Sequence, residues 1–315
     1  MTPAAGHRAF ASEVAEYLQR TPRQLPSKYF YDALGSALFD AICRLPWYHV
    51  TRAESALLAR RAREILSPFP EPFGLVELGC GNGDKLGVLL DHAGERRPHV
   101  LLVDISAAAL RMATDRLAGV AAAPLLTHLG TYEDGLLQLA AARPAGGRMM
   151  VLFLGSNIGN FDPGPARELL RRIRSTLVPG DALLLGSDLV KPERELLLAY
   201  DDPLKVTAAF NRNLLRRIND ELGGTFALEC FAHRAVWNAS EQRVEMHLVS
   251  RRPQAVHVAA AGLTVPFEAG EWIWTESSYK YDPGAVVAEG LAAGFGRAEQ
   301  WLDTEAGFAV TRFTV

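Results

Sequence analysis

The residues best placed to do chemistry are Glu77, Gly79, Gly81, Gly83 and Lys85, a run in which glycine falls at every second position. They follow a short apolar stretch, Phe73 to Leu78, read as a strand, and lead into a helical pattern from Asp84 to Asp91. Glycines at that spacing permit a sharp turn and let the backbone approach a ligand that a Cβ would hold off. The helix that follows aims its free N–H groups at the same ligand. Asp104 stands 21 residues after Gly83, at the end of the next apolar run, His99 to Val103. A carboxylate there suits a ribose, because it accepts from both vicinal hydroxyls. Turn and carboxylate together describe a pocket for a nucleoside-containing cofactor. A dinucleotide binder wants its third glycine where this chain has Asp84, which counts against a nicotinamide dehydrogenase.

The elements that must position these groups alternate along the chain. After Asp104 come an alanine-rich helix (107 to 117), a short strand near Pro124 to Leu126, and the stretch Gly130-Thr131-Tyr132-Glu133-Asp134. A fourth strand, Arg148 to Leu154, runs into Gly155-Ser156-Asn157-Ile158-Gly159-Asn160. A helix over 165–177 and a strand over 181–185 complete an α/β alternation that predicts a doubly wound parallel sheet. Before it, helices over 10–20, 36–45 and 52–67 form a cap. After helices over 193–200 and 207–222, the pattern changes to strands over 227–237, 242–251, 255–259 and 263–267, expected to form an antiparallel lobe. A helix over 283–294 and a strand over 308–315 close the chain. The expected divisions are a helical cap at 1–70, a cofactor-binding core at 71–200, a substrate lobe at 201–285 and a closing helix and strand at 286–315.

Bulk properties narrow the classes. The 315 residues are 49% hydrophobic and 22% charged, with a net charge of −3. Nothing here supplies the basic surface that nucleic acid requires. The N-terminus lacks a signal-peptide core, and no apolar run of about 18 residues is present to span a membrane. Three cysteines stand isolated, so neither a disulfide framework nor a metal cluster is expected. The reading is a cytoplasmic, metal-free monomer acting on a small molecule.

The Glu-x-Gly-x-Gly-x-Gly form resembles the first motif of methyltransferases that use S-adenosylmethionine. A more specific resemblance covers the chain from about residue 20 to its end. It rests on Leu25-Pro-Ser-Lys-Tyr-Phe-Tyr-Asp32, Arg44-Leu-Pro-Trp-Tyr-His-Val-Thr-Arg-Ala-Glu54 and Phe153-Leu-Gly-Ser-Asn-Ile-Gly-Asn160. It continues through Ala199-Tyr-Asp-Asp202, Val206-Thr-Ala-Ala-Phe-Asn-Arg-Asn213, Val244-Glu-Met246 and Trp274-Thr-Glu-Ser-Ser-Tyr-Lys-Tyr281. In these segments the chain is similar to the histidine-specific Nα-methyltransferases of ergothioneine biosynthesis.

The resemblance implies a Rossmann-like class I methyltransferase sheet carrying the helical cap and an inserted, largely antiparallel substrate lobe. It implies methylation of the α-amine of L-histidine, repeated to the trimethyl product hercynine, with S-adenosylhomocysteine released. Asn160 and Tyr200 are implied to hold the substrate carboxylate, which an amide N–H and a phenol O–H can bind without a formal charge; Arg212 is a runner-up anchor, read first as part of a solvated helix face. Glu276 and Ser278 fall on one face of a strand and are implied to grip both imidazole nitrogens, with Met246 shaping the pocket. Tyr31, Phe39 and Tyr48 are implied to wall the amine, where cation–π attraction persists after the last N–H is replaced. Tyr31, or water beside it, is the candidate acceptor of the ammonium proton. Glu77, Gly79, Gly81, Gly83, Lys85 and Asp104 take the methionine and ribose parts of the cofactor, and Gly155 and Ser156 sit beside the transferred methyl.

One departure stands out: Thr131-Tyr132 replaces the Asp-Phe pair that the family directs at adenine. Two alternatives differ in kind. One is the same reaction on another amino acid such as tryptophan, which Glu276 disfavours because a carboxylate facing an indole is costly to bury. The other is a protein that binds the cofactor without catalysis.

Overall fold

Five apolar runs form parallel strands, each carried back over the sheet by a helix. They are β1 (Phe73–Leu78), β2 (His99–Asp104), β3 (Leu125–Leu129), β4 (Arg148–Phe153) and β5 (Ala182–Asp188). Every residue of β1 and β5 is buried, as expected of strands covered on both faces, whereas β3 is a largely exposed edge. The computed structural model describes residues 3–120 and 125–315. Pro124, expected in the third strand, and Met1 and Thr2 at the start of the chain lie outside them.

The remaining strands build smaller sheets before the chain returns. β6 (Phe231–Asn238) and β7 (Arg243–Ser250) are antiparallel neighbours, as are β8 (Gln254–Val258) and β9 (Leu263–Phe267). β10 (Trp272–Tyr279) lies on the other side of β7. β11 (Arg297–Asp303) and β12 (Phe308–Thr314) then complete the large sheet, whose order is β11-β12-β5-β4-β1-β2-β3. β12 is antiparallel to both its neighbours.

The chain divides into two units, each made of two separate stretches. The first comprises Met1–Trp47 and Pro192–Ser278; the second comprises Tyr48–Lys191 and Tyr279–Val315. Helix His49–Leu66, assigned from sequence to the cap, therefore belongs to the second unit, and helix Glu193–Tyr200, assigned to the core, belongs to the first. In the second unit, Arg312 donates to the carbonyls of Glu64 and Ile65 at 2.9 and 2.8 Å, fastening helix His49–Leu66 beside β12. In the first, Asp32 caps helix Ala33–Cys43 through Gly35 N (2.6 Å) and also accepts from Asn213 and Arg216, both at 2.8 Å. Two of the quoted sequence segments meet there. The rings of Phe226, Phe231 and Phe267 form an aromatic core in the same unit.

Four elements among the described residues differ from the sequence reading. β11 was not expected, nor were the short helices Tyr132–Leu137 and Leu139–Ala142. Residues 228–230 form a tight turn of helix instead of the start of a strand. No helix among the described residues is long and apolar enough to cross a membrane.

Candidate active site

In the second unit the chain leaves β1 toward β2 on one side and later enters β4 on the other. A doubly wound sheet opens its ligand crevice at such a reversal, beyond the carboxyl ends of the strands. The loop after β1 is the glycine turn. Gly79 N and Cys80 N donate to the carbonyl of Val103 at 2.8 and 3.2 Å, which ties the turn to the end of β2. The three glycines have φ of +74°, +55° and +78°. At Gly81 a side chain would meet nothing within 4 Å among the described residues, so the space they leave over this backbone is open to a ligand.

Asp104 is aimed by the backbone. Its carboxylate accepts from Gly81 N at 3.1 Å and from Ser106 N at 2.8 Å. Burial raises its pKa, and those N–H donors oppose the rise. Glu77 is 2% exposed, and burial pushes its pKa up to about 8 against the pull of Lys85. At neutral pH Glu77 is therefore largely protonated. Its Oε2 has no hydrogen-bond partner among the described residues, an orphaned polar atom that a polar ligand would satisfy. Asp84 opens the following helix and is held by Asn82 and Arg116.

Lys85 lies 3.2 Å from Glu54 Oε2. Glu54 is fully buried, and its two oxygens also accept from Gly155 N at 2.9 and 2.8 Å. Glu54 was missed as a functional residue. It closes the quoted segment 44–54, and its partners are too distant in sequence to signal a role.

The loop after β4 carries Gly155, Ser156 and, at the end of the turn Asn157–Asn160, the half-buried Asn160. Ser156 adopts φ +56°, and its hydroxyl accepts from Asp188 N at 3.0 Å. Thr131 caps helix Tyr132–Leu137: Oγ1 accepts from Asp134 N at 3.2 Å and donates to Asp134 Oδ2 at 3.1 Å. Tyr132 packs edge-on against Phe153 at 5.1 Å, with its ring close to Gly79. Tyr48 is buried and also belongs to this unit.

The first unit gathers the other substrate candidates. Tyr200 O–H and Ser278 Oγ share a hydrogen bond of 2.7 Å, and both residues are buried. The sequence reading gave these two to opposite ends of the substrate; the structure links them directly. Glu276, half-buried, precedes Ser278 by two positions on β10, and its carbonyl accepts from Trp274 Nε1 at 2.9 Å. Met246 is buried in β7, its carbonyl accepting from Thr275 Oγ1. Tyr31 and Phe39 meet edge-on at 5.7 Å, and Phe210 lies 5.8 and 5.9 Å from them. Phe210, within segment 206–213, is a buried ring that packs on both and had been passed over.

Behind Tyr200, His233 Nε2 lies 2.8 Å from the Tyr200 carbonyl, and His233 Nδ1 lies 2.9 Å from Asn211 Nδ2. A carbonyl only accepts, so Nε2 carries the proton and Nδ1 accepts from the amide. Burial lowers the pKa of His233, consistent with a neutral ring. Among the described residues no group of three or more His, Cys, Asp or Glu is arranged to hold a metal.

The large sheet, parallel from β3 to β5 with β12 antiparallel beside β5 and β11 at its edge, carries a glycine turn after β1 and a carboxylate after β2, the arrangement of a class I methyltransferase fold. A family model described as histidine-specific methyltransferase, SAM-dependent, matches residues 10–315. The chain is 44% identical over 311 residues to a protein named histidine N-alpha-methyltransferase from Mycobacterium tuberculosis, covering 98% of this chain and 95% of that protein. It is 43% identical over 306 residues to a protein of the same name from Mycolicibacterium smegmatis, covering 96% and 94%. A protein named ergothioneine biosynthesis protein 1, from Neurospora crassa, is 33% identical over 211 residues, covering 66% of this chain and 24% of that protein. The chain belongs to the histidine-specific, S-adenosylmethionine-dependent methyltransferase family.

Proposed function

We propose that this protein transfers the methyl group of S-adenosylmethionine to the α-amine of L-histidine, in successive rounds to the trimethyl betaine used in ergothioneine biosynthesis. The observation that carries this reading is the family match over residues 10–315. The cofactor supplies an electrophilic sulfonium methyl and leaves as S-adenosylhomocysteine. Asp104 accepts from the ribose hydroxyls, and Gly79, Gly81 and Gly83 give the cofactor close approach to the backbone. The orphaned Glu77 Oε2 meets a polar group of the methionine part, where Lys85 also serves. Tyr132 and the backbone at Thr131 are left for adenine, since the Thr131 hydroxyl is held by Asp134. Gly155 and Ser156 line the path of the methyl.

On the substrate, Asn160 and Tyr200 hold the carboxylate. Glu276 and Ser278 fix the imidazole, with Met246 beside them. Tyr200 bonded to Ser278 couples the grip on carboxylate to the grip on the ring. Tyr31, Phe39 and Tyr48 enclose the amine, and the ammonium gives up its proton to water beside the Tyr31 phenol, which leaves a lone pair for in-line attack. The protein's main task is alignment with water excluded; the displacement requires no metal.

The test is to incubate the protein with S-adenosylmethionine and histidine and locate the new methyl groups by NMR. The expected product carries them on the α-nitrogen alone, and Nα-acetylhistidine is inert. Methyl groups on the imidazole, or turnover of Nα-acetylhistidine, would overturn the reading.

A further inference from the structure

We infer that Glu54 is a positioning residue for methyl transfer: it holds the Gly155 turn and the Lys85 ammonium in the single arrangement that receives the cofactor. The inference rests on the proposed assignment of Gly155 and Lys85 to the cofactor, and all of its geometry lies in the second unit.

Glu54 projects from helix His49–Leu66 with none of its side chain exposed. A buried carboxylate without partners is strongly disfavoured. Its hydrogen-bond and ion-pair partners are Gly155 N, to both oxygens, and Lys85 Nζ, to one, while the Asp188 carboxylate opposes its charge. Burial raises its pKa, whereas Lys85 and the Gly155 N–H pull it down. The surroundings are cut to admit it. A Cβ at Gly186 on β5 would lie 1.8 Å from Glu54 Oε1, and a Cβ at Gly155 would lie 2.7 Å from Lys85 Nζ. Two glycines therefore make room for the two charges.

The turn that Glu54 holds is unfavourable on its own. Ser156, next to Gly155, sits at φ +56°, a conformation that a residue with a side chain keeps only under restraint. Restraint comes from both sides, since Asp188 N donates to Ser156 Oγ and Gly155 N donates to Glu54. Lys85 stands in the first turn of the helix after the glycine loop. One carboxylate thus fixes a group from each of the two loops, after β1 and after β4, that border the crevice. Supports of this kind set the geometry of residues that touch ligand without touching it themselves.

The experiment measures S-adenosylhomocysteine binding by calorimetry and hydrogen exchange at the Gly155 amide. It compares wild type, Glu54→Gln, Glu54→Ala and Gly186→Ala. Glu54→Ala is expected to weaken binding about tenfold or more, the effect of a buried donor left unpaired, and to abolish protection at Gly155. Glu54→Gln keeps an acceptor for Gly155 N, so protection persists while binding falls to an intermediate value, Lys85 having lost its counter-charge. Gly186→Ala drives the carboxylate from its place and reproduces Glu54→Ala. Should Glu54→Ala fail to fold, Glu54→Gln and Gly186→Ala carry the test. Wild-type affinity in the variants that fold overturns the positioning role. A wild type that does not bind S-adenosylhomocysteine overturns instead the cofactor assignment beneath it.

Discussion

Two carboxyl groups flank the glycine turn, and burial raises the pKa of both. Asp104 has backbone N–H donors on each oxygen, whereas Glu77 keeps one oxygen without a partner among the described residues. The pKa of Glu77 moves from 4.5 to about 8. Between those values the folded state holds more protons than the unfolded one, so this contribution to stability is present at low pH and is lost as pH rises toward about 8. Glu77→Gln removes that slope. Urea unfolding of the cofactor-free protein should show the variant gaining on wild type from pH 5 to pH 8; an equal difference at both would contradict the burial argument. Specificity is the second residue-scale matter. Glu276→Ala should lower the specificity constant for histidine by about 2–4 kcal/mol, since imidazole is left without its charged partner. Tryptophan should lose nothing, and an equal loss on both substrates would show Glu276 to be structural. The residue types themselves were readable where one motif holds them, as at Glu77 to Lys85 and Asp104. Glu54 and Phe210 were not, because the groups they touch lie far from them in sequence.

At the scale of elements, short apolar runs made β1, β2, β4 and β5 legible, and their order along the chain followed from the alternation with helices. β11 was missed because Arg297, Glu299, Gln300 and Asp303 interrupt its pattern and it lies at the edge of the sheet. Helix Tyr132–Leu137 was missed by its length, although the Thr131–Asp134 capping box announces its start. That cap yields a prediction. Thr131→Ala should reduce stability by about 1 kcal/mol while leaving S-adenosylhomocysteine affinity nearly unchanged; a large loss of affinity would return the hydroxyl to the adenine. The turn after β1 yields another. Gly81→Ala places a methyl in open space at φ +55°, a strain of roughly 1 kcal/mol. Its thermal midpoint should drop modestly and its cofactor binding should nearly vanish. Undiminished binding would mean that the cofactor lies elsewhere.

For the whole molecule, the sequence announced a parallel core and a late run of antiparallel strands but not how the chain shares them out. The first unit joins residues before Trp47 to residues after Pro192, through contacts such as Asp32 with Asn213 and Arg216. Hydrophobic period has no means of recording such partnerships, since it reports only which face of an element is buried. The substrate candidates accordingly come from many places along the chain, from Tyr31 to Ser278. Their common purpose is the central claim, that the α-amine of histidine is the methyl acceptor. The most direct measurement offers the purified protein S-adenosylmethionine and an equimolar mixture of the twenty amino acids, with products read by mass spectrometry. Histidine is expected to carry one to three added methyl groups, with the other amino acids unchanged. Unmodified histidine, or preferential methylation of tryptophan, would contradict it.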